Sequence, residues 1–489
     1  MSVAEYTNGA QFTHPPIDCF SPNLVVVPPI EQLWGRSIST FNGYVPASDL
    51  TDLSRSPKLA EDNWKPNYRP ESYDRDRQIG KLKDVADLLK LAGNVNHDVL
   101  NAELAESIAR TNKTFDLYEG RTVPDFDGSF AFVVPTRIDR ESADYGDEIL
   151  PYLTILRHVD NATRQLTLAG TCPWVLDIYN PDTKGKQGAM IFAPVFKDLA
   201  RDSKNDAEAL DTSHAIIQDT ILFARNKLGV NVAGLGATLP LLTYMAEKYL
   251  GKKLEIDGVT TTTGHGGTVW LLHETIKKAI AKLYVSDSVE TGIIGVGGIG
   301  KSTADYILNA DNASTVRLFD KDPAKTSRVA DELRAVYGEK RVRTAPDAAT
   351  LVRAGGIIVS AITTPLDLSD EVYRGGPPAL WVDDSQPHGV NRSQVEILGG
   401  NVAWVIGRDN TPTTALTLKN GFNYSGWGPA MPNEVWGCQA EAGVVHLMNA
   451  PEAAIRNAVT PASARLIGEL CTEAGIGTAE LQSFGRYLK

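Results

Sequence analysis

Residues 291–320 read TGIIGVGGIGKSTADYILNADNASTVRLFD, and this stretch decides the fold. An apolar strand runs into the glycines, a helical pattern follows, and a second strand ends at Asp320. The glycines match GxGxxG, in which the first makes a tight turn, the second lets a pyrophosphate approach the backbone, and the third lets the helix pack on the strand. The pattern predicts a dinucleotide-binding loop formed by Gly295, Gly297, Gly298, Ile299 and Gly300.

A second interpretation competes for the same loop. Residues 295–302 also match GxxxxGK[ST], the mononucleotide P-loop, with Lys301 and Ser302 in place, and LWVDD at 380–384 is similar to a Walker-B strand end. Asp320 favours the dinucleotide, because it lies 20 residues after Gly300, where a carboxylate holds the ribose hydroxyls. A P-loop protein has no need of that carboxylate.

Strands alternate with helical patterns from about residue 287 to 425. RVRT, GGIIVSA, ALWVD and NVAWVI supply the later strands. This alternation predicts a Rossmann-type doubly wound parallel sheet in an α/β protein. We place Ala361 and Thr363, which follow the GGIIVSA strand, in the cofactor site together with the glycine loop.

Residues 129–286 predict a second α/β domain, which would hold the substrate. SFAFVVPTR, GAMIFAPVF and NVAGL have strand composition, and a helix near 208–228 ends at Gly229. The turn GLGAT, with Gly234 and Gly236, then enters the helix LPLLTYMAEKYL. Backbone N–H groups at such a turn can receive an anion.

The two ends of the chain differ in composition from the two α/β segments. Nine of the 27 prolines lie in the first 70 residues, which excludes long helices there. Two amphipathic helices, near 80–92 and 98–111, should end at Gly93 and Asn112. Residues 1–128 therefore form a Pro-rich arm with a helical extension, and residues 426–489 return to helices that pack on the substrate domain.

Composition excludes several functional classes. The 489 residues include 48 Lys+Arg and 60 Asp+Glu, and the net charge of -12 repels nucleic-acid backbones. No apolar run reaches the ~20 residues that span a bilayer, and the N-terminus lacks a signal-peptide pattern. Four cysteines without a CxxC pair argue against a disulfide framework or a Cys-based zinc site. We expect a cytoplasmic protein with no metal and no transmembrane segment.

One cysteine stands apart from the other three. Cys19, Cys172 and Cys471 have the surroundings of small buried hydrophobes. Cys438 falls within the first turn and a half of a helix expected to begin near Pro432 and Asn433, and the positive end of a helix favours a thiolate. Two nearby acids, Glu434 and Glu441, oppose that effect. From the residues alone, Cys438 is either a nucleophile or a packed side chain.

From about Ser129 onward the chain resembles the aldehyde-forming long-chain acyl-(acyl-carrier-protein) reductases of cyanobacteria. The resemblance covers about 360 residues, leaves residues 1–128 outside, and depends on short segments in a shared order. These are FAFVVPTR, GVNVAGLGATLPLL, VTTTTGHGGTVWLLHETI, GGIIVSAITTP, LWVDDSQPHGV and CQAEA.

The resemblance implies a mechanism and site residues. It makes Cys438 the nucleophile that takes the acyl group from an acyl-carrier-protein or acyl-CoA thioester, and it makes a nicotinamide cofactor the reductant of that acyl-enzyme. His265, where the family commonly has Asn, would be an acid or oxyanion donor, and His388 would lie beside the nicotinamide. The expected substrate-contacting residues are Gly234, Gly236, Thr263, Gly264 and Thr268. The N-terminal extension would serve a protein partner or self-association.

Cofactor choice is the point on which the residues and the resemblance disagree. Asp320 suits the free 2′-hydroxyl of NADH and repels a 2′-phosphate, whereas the family uses NADPH. Lys321, Lys325 and Arg328 follow and could neutralise that phosphate. We therefore expect NADH to be preferred or both cofactors to be accepted. A dehydrogenase of a small polar substrate and a P-loop nucleotide-binding protein remain the alternative functions.

Overall fold

The structure is a computed structural model of the chain. It describes residues 24–25, 45–46, 51–53, 56, 68–124, 126, 128–136, 153–180, 182–183, 186–283, 290–354, 356–363, 366, 380–385, 389–390, 394–395, 398–410, 416, 418, 433–456, 458–483 and 486–488.

The described helices are α1 (Arg75–Ala92), α2 (His97–Glu119), α3 (Asn161–Leu168), α4 (Lys197–Asp202), α5 (Ala207–Leu228), α6 (Leu239–Leu250), α7 (His265–Leu283), α8 (Gly298–Ala310), α9 (Pro323–Tyr337), α10 (Ala348–Arg353), α11 (Gly437–Leu447) and α12 (Pro461–Glu473). None of these helices combines the length and the apolar character that crossing a membrane requires.

The described strands are β1 (Leu24–Val25), β2 (Val45–Pro46), β3 (Phe130–Pro135), β4 (Trp174–Tyr179), β5 (Gly188–Ala193), β6 (Val232–Leu235), β7 (Thr260–Thr262), β8 (Thr291–Ile294), β9 (Val316–Phe319), β10 (Val342–Thr344), β11 (Ile357–Ser360), β12 (Leu380–Asp383), β13 (Val402–Trp404), β14 (Gly407–Asp409), β15 (Glu434–Val435), β16 (Ile476–Thr478), β17 (Gln482–Ser483) and β18 (Arg486–Tyr487).

The two N-terminal helices confirm one predicted stop and correct the other. Helix α1 ends at Gly93, which adopts the left-handed conformation with φ 71°. Helix α2 does not end at Asn112 but continues to Glu119 and is capped by Gly120. Phe115 and Leu117 are both buried beyond Asn112, so the apolar face continues and tertiary packing overrides the weak stop signal.

The substrate-domain strands form a five-stranded sheet in the order β4-β5-β3-β6-β7. The pairs β3–β5, β3–β6 and β6–β7 are parallel, and the edge strand β4 runs antiparallel to β5. Every residue of β3 and β5 is buried, as expected for strands covered on both faces. The predicted strands at 130, 188 and 232 are therefore confirmed, and α5 ends at Gly229 as predicted.

The glycine-loop segment opens a six-stranded sheet in the order β10-β9-β8-β11-β12-β13, with all five pairs parallel. The chain winds outward from β8 in one direction and then returns to place β11 on its other side. This is the doubly wound order of the Rossmann fold, and the switch point lies between β8 and β11. The predicted α/β class and parallel sheet are confirmed.

The C-terminal segment packs back on both sheets. Helix α11 contacts α7 and the strands β6 and β3, and α12 contacts α7 and α8. The helix carrying Cys438 does not begin at residues 432–433, because residues 434–435 form β15 against β14 and the helix starts at Gly437. Glu434 accepts from Arg408 at 2.6 Å, and Asn433 donates to Asp409 at 2.8 Å, so tertiary partners hold these residues extended.

Candidate active site

The glycine loop separates tightly packed positions from open ones. Gly295 has φ 89°, and a Cβ built on it would lie 2.6 Å from the carbonyl oxygen of Ala361. A Cβ on Gly300 would lie 1.8 Å from the carbonyl oxygen of Gly295. Among the residues that the structure describes, a Cβ on Gly297 would have only the Lys325 ammonium within 4 Å, at 3.9 Å, and a Cβ on Gly298 would have no neighbour in that range. The loop thus leaves room for an anion at the start of α8.

The two residues that define a P-loop face away from this opening. The Lys301 ammonium pairs with Glu332 on α9, and the Ser302 hydroxyl donates to the carbonyl oxygen of Val459 at 3.3 Å. A P-loop needs the lysine at the phosphates and the hydroxyl at a magnesium ion. Their contacts therefore disfavour the mononucleotide interpretation.

Asp320 lies at the end of β9, beside the glycine loop. Its Oδ2 accepts from the Val296 N–H at 3.0 Å and from the Lys325 ammonium at 2.9 Å, and its Oδ1 accepts from the Asp322 N–H at 3.1 Å. Burial pushes the pKa of Asp320 upward, but the Lys325 hydrogen bond and the backbone donors outweigh it and hold the pKa below its ordinary value. The carboxylate is therefore ionised and oriented toward the loop.

The remaining predicted cofactor residues take supporting positions. Ala361 donates its N–H to Ile294 at 3.0 Å and lies beneath Gly295. Ile299 is half-buried against the core, whereas Lys321 and Thr363 are exposed at the edge of the sheet.

Cys438 and the predicted turn around Gly264 come together. Gly264 has φ 71°, and a Cβ built on it would lie 2.4 Å from the Cβ of Cys438. A Cβ on Gly267 would lie 2.2 Å from the carbonyl oxygen of Gly437. Glycine at both positions lets the start of α7 approach the start of α11 backbone to backbone.

Glu441, one turn after Cys438, holds these two helix starts together. Its side chain accepts from the Gly267 N–H at 2.8 Å and from the Thr262 hydroxyl, and the residue is fully buried. Burial raises the pKa of Glu441, and the hydrogen bonds offset part of that rise. From the sequence, Glu441 was expected only to place a negative charge near the thiol. Its hydrogen bond to the first turn of α7 was not predicted.

The Cys438 thiol is not a thiolate at rest, which corrects the expectation from its helix position. It is the second residue of α11 and half-buried. Burial raises its pKa to about 12, and the charges of Asp384 and Glu441 add to the rise. Backbone N–H groups of Cys438 and Gln439 act in the opposite direction but do not overcome desolvation. A nucleophilic role therefore requires a base.

His265 is the first residue of α7 and directly follows the Gly264 turn. Burial lowers its pKa to about 4, so the imidazole is neutral at pH 7 and keeps a lone pair. Thr263 donates its N–H to Ile455 at 2.8 Å, and its hydroxyl is buried without a hydrogen-bond partner among the described residues. The Thr268 hydroxyl donates to Gly264 at 3.1 Å, so it supports the turn.

Asp384, directly after β12, is a site residue that sequence reasoning did not select. Its N–H donates to Ser360 at 2.9 Å. Burial, together with the charge of Asp383, raises the pKa of Asp384 well above its ordinary value. Its charge also acts on Cys438, which places the two groups in one electrostatic environment. The sequence did contain a signal for this residue, because it is an acid at the carboxyl end of a predicted central strand of a doubly wound sheet.

Two predicted substrate glycines lie at tight packing contacts, and their predicted substrate role stays a prediction. A Cβ on Gly234 would lie 2.4 Å from the Cβ of Ala442 on α11, and a Cβ on Gly236 would lie 2.6 Å from the Phe132 ring. Their lack of a side chain is explained by close contact between the sheet and its neighbours.

The other cysteines and histidines fall into three groups. Cys172 and Cys471 are fully buried, which confirms the packing interpretation for both. His446 stacks on Phe130, and His273 contacts Glu274. His388 and Cys19 lie outside the described residues, so their predicted roles stay predictions. Among the residues that the structure describes, no group of His, Cys, Asp and Glu is suited to a metal ion.

No family model and no curated protein matches this chain. Solved structures with some likeness include L-tryptophan dehydrogenase from Nostoc punctiforme, at 12% identity and a TM-score of 0.31 over 72% of this chain and 91% of the other. Hetero-hexameric glutamate dehydrogenase from Thermus thermophilus has 13% identity and a TM-score of 0.32 over 72% and 75%. Quinate dehydrogenase from Corynebacterium glutamicum, in complex with NAD, has 14% identity and a TM-score of 0.28 over 57% and 88%.

TM-scores this low carry no argument about function. The chain's own strand order, the spacing of its glycines and Asp320 define a Rossmann-type dinucleotide-binding domain. Joined to it is an α/β domain on which a cysteine packs at a helix start.

Proposed function

We propose that this chain is an NAD(P)H-dependent reductase that converts an acyl thioester to an aldehyde through an acyl-enzyme on Cys438. The observation that carries the proposal is the contact of Cys438 with the Gly264 turn, where a half-buried thiol lies between the starts of two helices. A thiol in such a place suits covalent acyl transfer more than simple packing.

The cofactor-binding part of the proposal depends on the loop of residues 295–300. Gly297 and Gly298 leave space for the pyrophosphate, and Asp320 is oriented to bind the adenosine ribose. When bound, the reduced nicotinamide would supply a hydride to the acyl carbon. Nicotinamide cofactors bind at the carboxyl edge of such a sheet, where β11 and β12 end.

The protein's own groups would then carry the acyl transfer. His265 would accept the thiol proton, and the sulfur would attack the thioester carbonyl. The carrier's thiolate would leave and take that proton, so the acylation step is balanced. The Cys438 and Gln439 N–H groups, which already act on the sulfur, would stabilise the thiolate.

Fewer backbone N–H groups can stabilise the oxyanion than the sequence suggested. The Gly267 N–H donates to Glu441, the Thr263 N–H to Ile455 and the Thr268 N–H to Gly264. These three N–H groups already donate to acceptors within the protein, so we do not propose them as oxyanion donors. Stabilisation of the oxyanion would come from groups at the start of α11 and from an acid.

Intact-mass spectrometry tests the covalent step. The protein is incubated with a series of acyl-CoA thioesters, with and without reduced cofactor. We expect one acyl adduct on wild type, no adduct on Cys438→Ala, and an unchanged adduct on Cys471→Ala, because Cys471 is fully buried on α12. An adduct that persists on Cys438→Ala, or its absence from wild type with every thioester, would overturn the proposal.

The runner-up is a dehydrogenase of a small polar substrate in which Cys438 only packs. The specific observation in its favour is the pKa of about 12 for the thiol, which leaves almost no thiolate at neutral pH. The same experiment separates the two functions, because this alternative forms no acyl adduct. The carrier, the cytoplasmic location and a partner for the N-terminal extension remain predictions.

A further inference from the structure

The Lys325 ammonium lies at the opening of the glycine loop. It donates to Asp320 Oδ2 at 2.9 Å, and it lies 3.9 Å from the position of a Cβ built on Gly297. In a GxGxxG loop, this second glycine is the one at which the pyrophosphate approaches the backbone. The half-buried ammonium therefore borders the space that the pyrophosphate would occupy.

The start of α9 fixes the position of the lysine backbone. The Lys325 N–H donates at 3.2 Å to Oδ1 of Asp322, the residue that caps this helix. Thr326 is buried, and its hydroxyl accepts from the Asp320 N–H at 3.0 Å, which joins the helix start to the end of β9. Asp320 Oδ2 also accepts from the Val296 N–H at 3.0 Å. One carboxylate thus connects the lysine to the glycine loop.

The charges at this opening suit an anion. Helix α8 begins at Gly298, and its first N–H groups carry the positive end of the helix dipole. The Lys325 ammonium and the Asp320 carboxylate form an ion pair, so their formal charges cancel and the positive helix end remains. Each phosphate of a dinucleotide carries a negative charge, and the pair can turn its cationic side toward it.

We infer that Lys325 binds the pyrophosphate of the cofactor and that Asp320 positions its ammonium over Gly297. This inference rests on the dinucleotide-binding part of the proposed function. An ammonium is a compact cation with three donors, and its hydrogen bonds to phosphate oxygens are charge-assisted. Asp320 then serves two parts of the cofactor, because it faces the adenosine ribose directly and the phosphates through Lys325.

The other role open to Lys325 is a contact with the 2′-phosphate of NADPH. The position beside Gly297 favours the pyrophosphate, because the second glycine lies at the phosphates whereas the ribose hydroxyls lie at the acid that follows β9. NADH and NADPH share the pyrophosphate. Lys325 should therefore contribute equally to the binding of both cofactors.

Calorimetry with ADP-ribose and with 2′-phospho-ADP-ribose tests the inference without turnover. Lys325→Met should weaken the binding of both ligands by the same factor, about tenfold or more. Lys340→Met, which changes an exposed lysine of the same domain, should bind both ligands as wild type does. Unchanged affinity of Lys325→Met for ADP-ribose, or a loss confined to the 2′-phosphorylated ligand, would overturn the inference.

A double variant separates direct binding from simple neutralisation of Asp320. If Lys325 only cancelled the charge of that carboxylate, Lys325→Met would have no effect once Asp320 is replaced by serine. We expect instead that Asp320→Ser/Lys325→Met binds ADP-ribose about tenfold more weakly than Asp320→Ser alone. Equal affinities of these two variants would also overturn the inference.

Neither ligand carries an acyl group, so the outcome is independent of acyl transfer. A wild type that binds ADP-ribose but forms no acyl-enzyme would contradict the proposed function and leave the role of Lys325 standing. A wild type that binds neither ligand would contradict the cofactor assignment and overturn both.

Discussion

The residues around Cys438 show how burial and hydrogen bonds change the pKa of individual side chains. Glu441 and Asp384 are both carboxyls that raise the pKa of the thiol, and Glu441 also accepts from the Gly267 N–H at the start of α7. Burial holds His265, the first residue of α7, neutral at pH 7. The site thus has no resting thiolate, so the proposed acyl transfer requires activation of the thiol.

Cofactor preference is decided at the residue scale by Asp320. Its carboxylate is ionised and would repel a 2′-phosphate, so we expect wild type to prefer NADH or accept both cofactors. Asp320→Ser removes the repulsion and releases Lys325, which now pairs with it at 2.9 Å. The ratio of kcat/KM for NADPH over NADH should rise by about tenfold or more, equivalent to about 1.4 kcal/mol.

Asp331→Ser on the exposed face of α9 is the matched control, and its cofactor ratio should equal that of wild type. A wild type that ignores NADH, or an unchanged ratio in Asp320→Ser, would show that Asp320 does not contact the ribose.

At the scale of elements, local signals predicted most of the fold. Gly93, Gly229 and the glycine loop each mark a boundary through backbone geometry that only near neighbours determine. The start of α11 was mispredicted because Arg408, distant in sequence, holds Glu434 extended. The effect of Asp384 on the pKa of Cys438 was not predictable for the same reason, since the two residues are distant in sequence and only the fold relates them.

The geometry of the glycine loop predicts different effects for substitutions at two of its glycines. Gly297→Val should abolish binding of NADH and NADPH in calorimetry while leaving the melting temperature close to wild type, because its Cβ would meet no protein atom closer than 3.9 Å. Gly300→Val should lower the melting temperature, because its Cβ would lie 1.8 Å from the backbone of Gly295. Normal binding by Gly297→Val would show that the loop is misassigned.

The close approach of α7 and α11 predicts that a side chain at Gly264 will destabilise the protein. Gly264→Ala should strongly destabilise the protein and increase labelling of Cys438 by thiol reagents, because its Cβ would lie 2.4 Å from that of Cys438. Gly258→Ala is the matched control: its φ of 74° is similar, but no atom lies within 4 Å, so only the left-handed strain of about 1–2 kcal/mol remains. Urea unfolding measures both changes, and equal losses would contradict the close helix contact.

At the scale of the whole molecule, the buried imidazole ties stability to pH. Burial lowers the pKa of His265 from 6.5 to about 4, so its neutral form contributes stability that is present above pH 6.5 and is lost as pH falls toward 4. His265→Asn should remove this loss. Between about pH 7.5 and pH 4.5, the wild-type free energy of unfolding should therefore fall by more than that of the variant.

The comparison between variants is needed because other groups titrate in the same range. Burial raises the pKa of Asp219 to about 6, which acts on stability in the opposite sense. His273→Asn serves as the control for loss of a histidine on the same helix. Parallel profiles for wild type and His265→Asn would show that the imidazole is not held neutral by the fold.

The proposed function requires both domains: Cys438 would hold the acyl group, and a cofactor bound at the other sheet would reduce it. The direct measurement is to isolate the acyl-enzyme by gel filtration, add reduced cofactor without further thioester, and quantify products. We predict about one aldehyde formed and one cofactor oxidised for each acyl group lost from Cys438. An acyl group that stays on the protein, or leaves as free acid without cofactor oxidation, would contradict it.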